Sequence, residues 1–180
     1  MGSRLVQQLR HCRSTLSTHG LFMTAPCALH IDALTGNVEF KGLSLMLQRH
    51  MPVERVQTEF AALLERSWDH HNGYAWIALG GALRLAERPV SLSLCFFEGR
   101  LSLLALGVSL PDDEEQEGWP TEQTSQRQVN FLRRALASQL GISLAEGSAL
   151  FPWGSVWARF DPKGFMATAG IRYDSVAPVA

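Results

Sequence analysis

Apolar residues fall at helical spacing in three stretches of this chain and alternate with polar ones along most of the remainder. Leu5, Leu9, Cys12 and Leu16 predict a helix from Ser3 to about Leu16. Val53, Val56, Phe60 and Leu63 or Leu64 lie on one face of a second helix. Pro52 opens it, since proline suits a first turn, and the pattern fades around Trp68. Val129, Leu132, Leu136 and Leu140 mark the buried stripe of a third. Thr121 is its N-cap, and Gly141 sits where a C-cap glycine belongs.

Elsewhere the period is two. Val38 and Phe40, then Leu43, Leu45 and Leu47, alternate on either side of Gly42 and predict two short strands after a turn at Thr35-Gly36-Asn37. Tyr74–Leu79, Leu83–Ala86, Pro89–Phe97 and Leu101–Leu110 predict continuous antiparallel sheet, bent at Gly80-Gly81 and turned tightly at Glu98-Gly99-Arg100. A closing hairpin follows, with arms Trp153–Phe160 and Phe165–Tyr173 around the turn Asp161-Pro162-Lys163-Gly164. The fold class expected is α+β: a mainly antiparallel sheet with two principal helices packed on one face. The whole chain reads as a single domain, 1–180, with 1–27 a loosely attached N-terminal helical segment. No βαβ series is evident, so a nucleotide site at the carboxyl ends of parallel strands is not expected.

Composition narrows the classes further. With 46% hydrophobic and 18% charged residues, the chain is no disordered tract, and 180 residues should bury roughly 70% of the unfolded surface without disulfides or metal. A net charge of -1 argues against a broad nucleic-acid footprint. Arg4, Arg10 and Arg13 are not followed by a signal-type apolar run, and no window is long enough to span a membrane. Cys12, Cys27 and Cys95 are an odd number, with Cys95 inside an apolar run. These features fit a cytoplasmic protein with reduced thiols, a monomer or homodimer, with no membrane partner.

Standard reaction motifs are missing. There is no G-x-S-x-G, Walker lysine, G-x-G-x-x-G, H-E-x-x-H, C-x-x-C or EF-hand loop, so no cofactor is expected and the balance leans away from an enzyme. His11-Cys12, His19, Cys27 and His30 offer zinc-type ligands, and Cys27-x-x-His30 could put two on one ion. The remaining spacings match no zinc module, so no metal site is assigned. His70-His71 beside Asp69 is the most base-like cluster and the basis of an alternative reading as a small hydrolase or metal-dependent enzyme. A structural loop at a helix end is the simpler account of it. Asp161 is explained by turn chemistry.

Two stretches point to binding. The run Asp112, Asp113, Glu114, Glu115 and Glu117, ending in Trp119, keeps the protein soluble if it is a solvated loop, the simpler reading. As a recognition loop it would offer concentrated negative charge and an aromatic anchor to a basic toxin or effector. In an alternating strand Trp153, Ser155 and Trp157 share one face, and Gly154, Val156 and Ala158 the other. If the small set packs inward, both tryptophans stand on the open side next to Arg159, as in binding hot spots; otherwise the large residues are the core.

The ending F-P-W-G-x-V-x-x-x-F-D-P-K-G, closing on Ile171-Arg172-Tyr173, together with the F-x-G-x-L-x-x-x-x-L hairpin of Phe97 to Leu106, resembles a family of small uncharacterised bacterial proteins of about this length. The resemblance spans roughly the last hundred residues and implies a protein-binding role, as an immunity or accessory protein encoded beside a secreted toxin. Its motifs are turns and strands, and no catalytic residue comes with them. A homodimeric secretion chaperone is the remaining alternative.

Overall fold

The computed structural model describes residues 26–162 and 164–174. The expected N-terminal helix, with His11, Cys12 and His19, lies outside them.

The chain opens with β1 (Cys27–Ile31), β2 (Val38–Lys41) and β3 (Leu45–Leu47), followed by α1 (Val53–Glu59) and a single 3₁₀ turn, Ala61–Leu63. The main sheet then runs through β4 (Leu64–Asp69), β5 (Tyr74–Leu79), β6 (Leu83–Leu85), β7 (Arg88–Phe97) and β8 (Arg100–Val108). A small hairpin, β9 (Glu115–Gln116) and β10 (Trp119–Pro120), leads into α2 (Glu122–Leu140). Three strands close the fold: β11 (Ser148–Phe151), β12 (Gly154–Asp161) and β13 (Met166–Tyr173). The protein is α+β. Its sheet is mixed, because β1 and β6 pair in parallel, whereas the other strand pairings are antiparallel.

Strand β7 organises the sheet. Of its ten residues, Val90 to Phe97 pair with β8 along one edge. On the other edge Arg88 and Pro89 meet β6, while Leu92 to Phe97 meet β5. One strand long enough to serve two neighbours lets the sheet divide into a branch β6-β1-β2-β3 and a branch β5-β4. Opposite Cys95, the Ser102 hydroxyl donates to the Cys95 carbonyl at 3.1 Å across an irregularity in the ladder. That extra residue puts both Leu101 and Leu104 into the core.

The two helices begin where the sequence indicates. Pro52 precedes α1 in extended conformation, and Val56 and Phe60 are fully buried, Phe60 edge-on to Phe40. Thr121 caps α2 by accepting from the Thr124 amide at 3.1 Å, and Gly141 ends it at φ 66. The expected run of α1 towards Trp68 is corrected. Leu64–Asp69 is a strand, because pairing with β5 from Leu64↔Leu79 to Asp69↔Ala75 outweighs local helical preference. It is an edge strand studded with Glu65, Arg66 and Asp69, charges that discourage pairing with another chain.

Strand β1 shows how α2 is tied to the sheet. Residues Ala28 to Ile31 pair with β2, but β6 reaches only Cys27 and Ala28 on the other side. The Gln139 side chain fills the gap. Its amide NH₂ donates to the Leu29 carbonyl at 2.9 Å, and its oxygen accepts from the Ile31 amide at 2.9 Å. The side chain thus replaces the bond pair of an absent strand. Gln139→Met, which keeps length but makes neither bond, should cost about 2 kcal/mol, since two backbone groups lose their partners. Denaturant unfolding and exchange of the Ile31 amide would test this. A cost under about 0.5 kcal/mol with unchanged exchange would show that the bonds are dispensable.

Candidate functional site

The acidic run is ordered, and its residues divide into anchors and display. Asp113 points inward. One carboxylate oxygen accepts from the Leu110 amide at 2.9 Å and from the Gln128 side-chain amide at 2.7 Å, and the other lies 3.6 Å from the Arg127 guanidinium. The Glu114 amide donates to the Thr124 hydroxyl at 2.9 Å, and the Thr121 amide donates to the Glu114 carbonyl at 3.1 Å. Thr124, Ser125 and Gln128 are buried polar residues on the first turns of α2. They continue the Val129–Leu140 stripe in polar form, and the acidic segment seats on them. Carboxylates also suit the amino end of a helix.

From that base the chain projects a two-residue hairpin. Trp119 pairs with Gln116 and Pro120 with Glu115, while Glu117 (φ 54) and Gly118 (φ 78) make the turn, both left-handed as a tight hairpin with right-handed twist requires. Glu114, Glu115 and Glu117 are exposed, as is Asp112, and Trp119 is 41% exposed. A cleft of about 380 Å³ separates Glu115, Gly118 and Pro120 from Val90, Gly107 and Met166. The expected display set is therefore corrected at one position. Asp113 anchors the loop and is not offered to solvent.

The second expected surface is corrected more sharply. The small set does pack inward, with Val156 and Ala158 fully buried. Yet Trp153 does not join Trp157 outside, because it belongs to the two-residue turn between Phe151 and Gly154, not to the alternation of β12. It is 3% exposed, and its indole N–H donates to the Ala33 carbonyl at 3.0 Å. The ring stacks on Phe151 and meets Tyr173 edge-on, and Tyr173 donates its hydroxyl proton to the Gly36 carbonyl at 2.8 Å. The C-terminal strands thereby clasp the β1–β2 turn. That turn is itself pinned by Asp32, whose carboxyl is held below its usual range by hydrogen bonds from the Thr35 amide and hydroxyl. Trp157 remains half-buried on the outer face, with its N–H on the Thr168 hydroxyl at 2.9 Å and the Arg172 guanidinium 5.9 Å from its ring. Arg159 is exposed on the same face.

Sequence reading missed a second aromatic pair. Trp68 and Trp76 stack across β4–β5 with planes 4° apart, and Arg66 lies 5.6 Å from the Trp68 ring. The signal was hidden because Trp68 was assigned to a fading helix. Burial nearby pushes the Cys95 thiol up to about 11, so this cysteine is inert at neutral pH.

The remaining candidates are dispersed. His71, with its side chain 89% exposed, takes the left-handed conformation (φ 55) in the β4–β5 loop. Its amide donates to Asp69 at 2.7 Å, a turn interaction, while the imidazole stays 3.9 Å from that carboxylate. Cys27 and His30 lie on one strand at odd spacing, so the thiol faces the core and the imidazole the opposite side, an arrangement that cannot close on one ion. Among the described residues no helix is long and apolar enough to cross a membrane.

Fold and site together define a sheet-rich α+β protein that carries an ordered acidic hairpin against the start of its longer helix. No family model matches the chain, and no curated protein matches it. Among solved structures it is similar to a chain of "Rhs1-CT in complex with cognate immunity protein RhsI1", at 12% identity over 84% of this chain and 90% of that one, with a TM-score of 0.47. That likeness is coarse and assigns neither a site nor a partner.

Proposed function

We propose that this chain is a non-enzymatic protein-binding domain, an immunity or accessory protein for a toxin or secreted effector, and that its acidic hairpin receives a basic partner. The observation that carries this reading is the division of labour within the acidic run. Asp113 is spent on anchoring, while Asp112 and Glu114 before the hairpin, and Glu115, Glu117 and the half-exposed Trp119 on it, are displayed from an ordered segment. A solubilising loop needs charge but no fixed geometry. A recognition element gains affinity when its conformation is set before binding. Trp157 and Arg159 form a second contact area in this proposal.

The test begins with capture of the partner from source cells at low salt and its identification by mass spectrometry. Association is then measured for the native chain and for Asp112→Asn, Glu114→Gln, Glu115→Gln, Glu117→Gln combined. Asn tolerates the left-handed backbone of residue 112, and Asp113 stays untouched. The association rate at low salt should drop roughly tenfold or more, with a flatter dependence on ionic strength and a nearly unchanged dissociation rate. Equal rates for both proteins at every salt concentration would sink the reading.

A further inference from the structure

One flank of α2, beside the start of the acidic segment, carries a different charge. Arg127 and Arg134 sit seven positions apart, about two turns, with Asn130 between them, so the three share one helical face. Across from them Arg88 enters at the start of β7. These four side chains line a cleft of about 440 Å³ that also takes in Phe131 and Asp112. Phe131 is half-buried and packed against the core, which gives the cleft a fixed apolar wall.

The three guanidiniums are held differently. Arg127 is immobilised: one of its nitrogens donates to the Asp112 carbonyl, and the same nitrogen lies 3.6 Å from an Asp113 oxygen. Arg88 and Arg134 are exposed and have no carboxylate partner among the described residues. The neighbouring Arg133, by contrast, is used structurally, donating to the Ala158 carbonyl at 2.9 Å. Arg127 is already balanced by Asp113, whereas Arg88 and Arg134 bring positive charge to the hollow, and Asp112 is the acidic residue among its described lining. An anion entering there would meet two guanidiniums that no carboxylate among the described residues occupies. Planar guanidinium forks match the paired oxygens of carboxylates and phosphates.

The geometry points to an oxyanion-binding site formed by Arg88, Arg127 and Arg134, selective for ligands bearing two or more carboxylate or phosphate groups. Asn130 supplies a neutral donor between the cations, and Phe131 packs against the carbon skeleton of the ligand. Asp112 opposes binding and sets how many anionic groups a ligand needs. The ligand of this site has the opposite sign to the partner proposed for the acidic hairpin, and Asp112 is the residue the two surfaces share.

Calorimetric titration of the full chain with pyrophosphate and with citrate, at low ionic strength, tests the assignment. Saturable binding is expected on the order of 1 mM or tighter, weakening steeply with added sodium chloride. Arg88→Gln and Arg134→Gln should each weaken it about tenfold, and Arg134→Lys less, since charge is kept but the fork is lost. Asp112→Asn should strengthen it, a direction that general disruption of the fold cannot produce. Without anion, the denaturation midpoint of Arg88→Gln should be unchanged or raised, because Arg88 has no carboxylate partner among the described residues to lose. Preference for pyrophosphate identifies phosphoryl compounds as the ligand source, and preference for citrate identifies polycarboxylates. Absence of saturable binding up to about 10 mM of either probe, or binding equally tight when Arg88 and Arg134 are both replaced, would overturn the site.

Discussion

Trp153→Ala should lower the stability of the protein by about 4 kcal/mol, through a shift of the denaturant midpoint at constant slope. The indole is enclosed by Phe151, Tyr173 and the β1–β2 turn, and its N–H occupies the Ala33 carbonyl. Truncation leaves a large cavity where the C-terminal strands clasp the β1–β2 turn, and one carbonyl loses its donor. A partner experiment isolates the packing. A Cβ at Gly36 would stand 2.5 Å from the Trp153 ring, on a backbone of φ 72. Gly36→Ala in the native background therefore combines a steric clash with left-handed strain. In the Trp153→Ala background only the strain remains, about 1 kcal/mol. If Trp153→Ala costs less than about 1 kcal/mol, the indole is a surface group after all and the outward-facing reading of the motif returns.

Gly170→Ala should be comparably damaging, at about 3 kcal/mol or more. Gly170 lies in β13 between Trp157 of β12 and Ala105 of β8. A Cβ there would come 2.0 Å from the Leu104 carbonyl oxygen and 2.7 Å from the Trp157 ring. The indole can swing aside, but the carbonyl belongs to the sheet and can move only with its strand. The double variant Gly170→Ala, Trp157→Ala should therefore recover little of the loss. Full recovery would place the conflict in the side chain and leave the close approach of β8 and β13 without consequence.

Local signals in the sequence carried far. Strand β5 occupies the stretch Tyr74–Leu79 read from its apolar character, and α2 starts after Thr121 and stops at Gly141 as their capping chemistry dictates. These features depend on residues within a few positions of one another, so the chain declares them. Leu64–Asp69 departs from its local pattern for the opposite reason. It is a strand only because β5 lies beside it, and its composition alone is neutral between helix and edge. Strand β11 and the β9–β10 hairpin escaped for the same cause, since Ser148–Phe151 and Glu115–Gln116 carry no alternation of their own and are strands only through their partners.

The candidate site follows the same rule. That Asp112 to Glu117 concentrate charge was plain. That Asp113 turns inward was not, because its partners, Arg127 and Gln128, are donors fourteen and fifteen residues away on a helix face. The sequence by itself determined the α+β class, the start of α1, the longer helix with both its caps, the central antiparallel hairpins and the place where negative charge gathers. Each of these is set by period, propensity or turn chemistry. Only the tertiary structure decided the parallel β1–β6 pairing, the inward turn of Trp153, the Gln139 bridge and the arginine-lined cleft. These join residues tens to more than a hundred positions apart, where contact is fixed by how whole elements pack and not by any spacing along the chain.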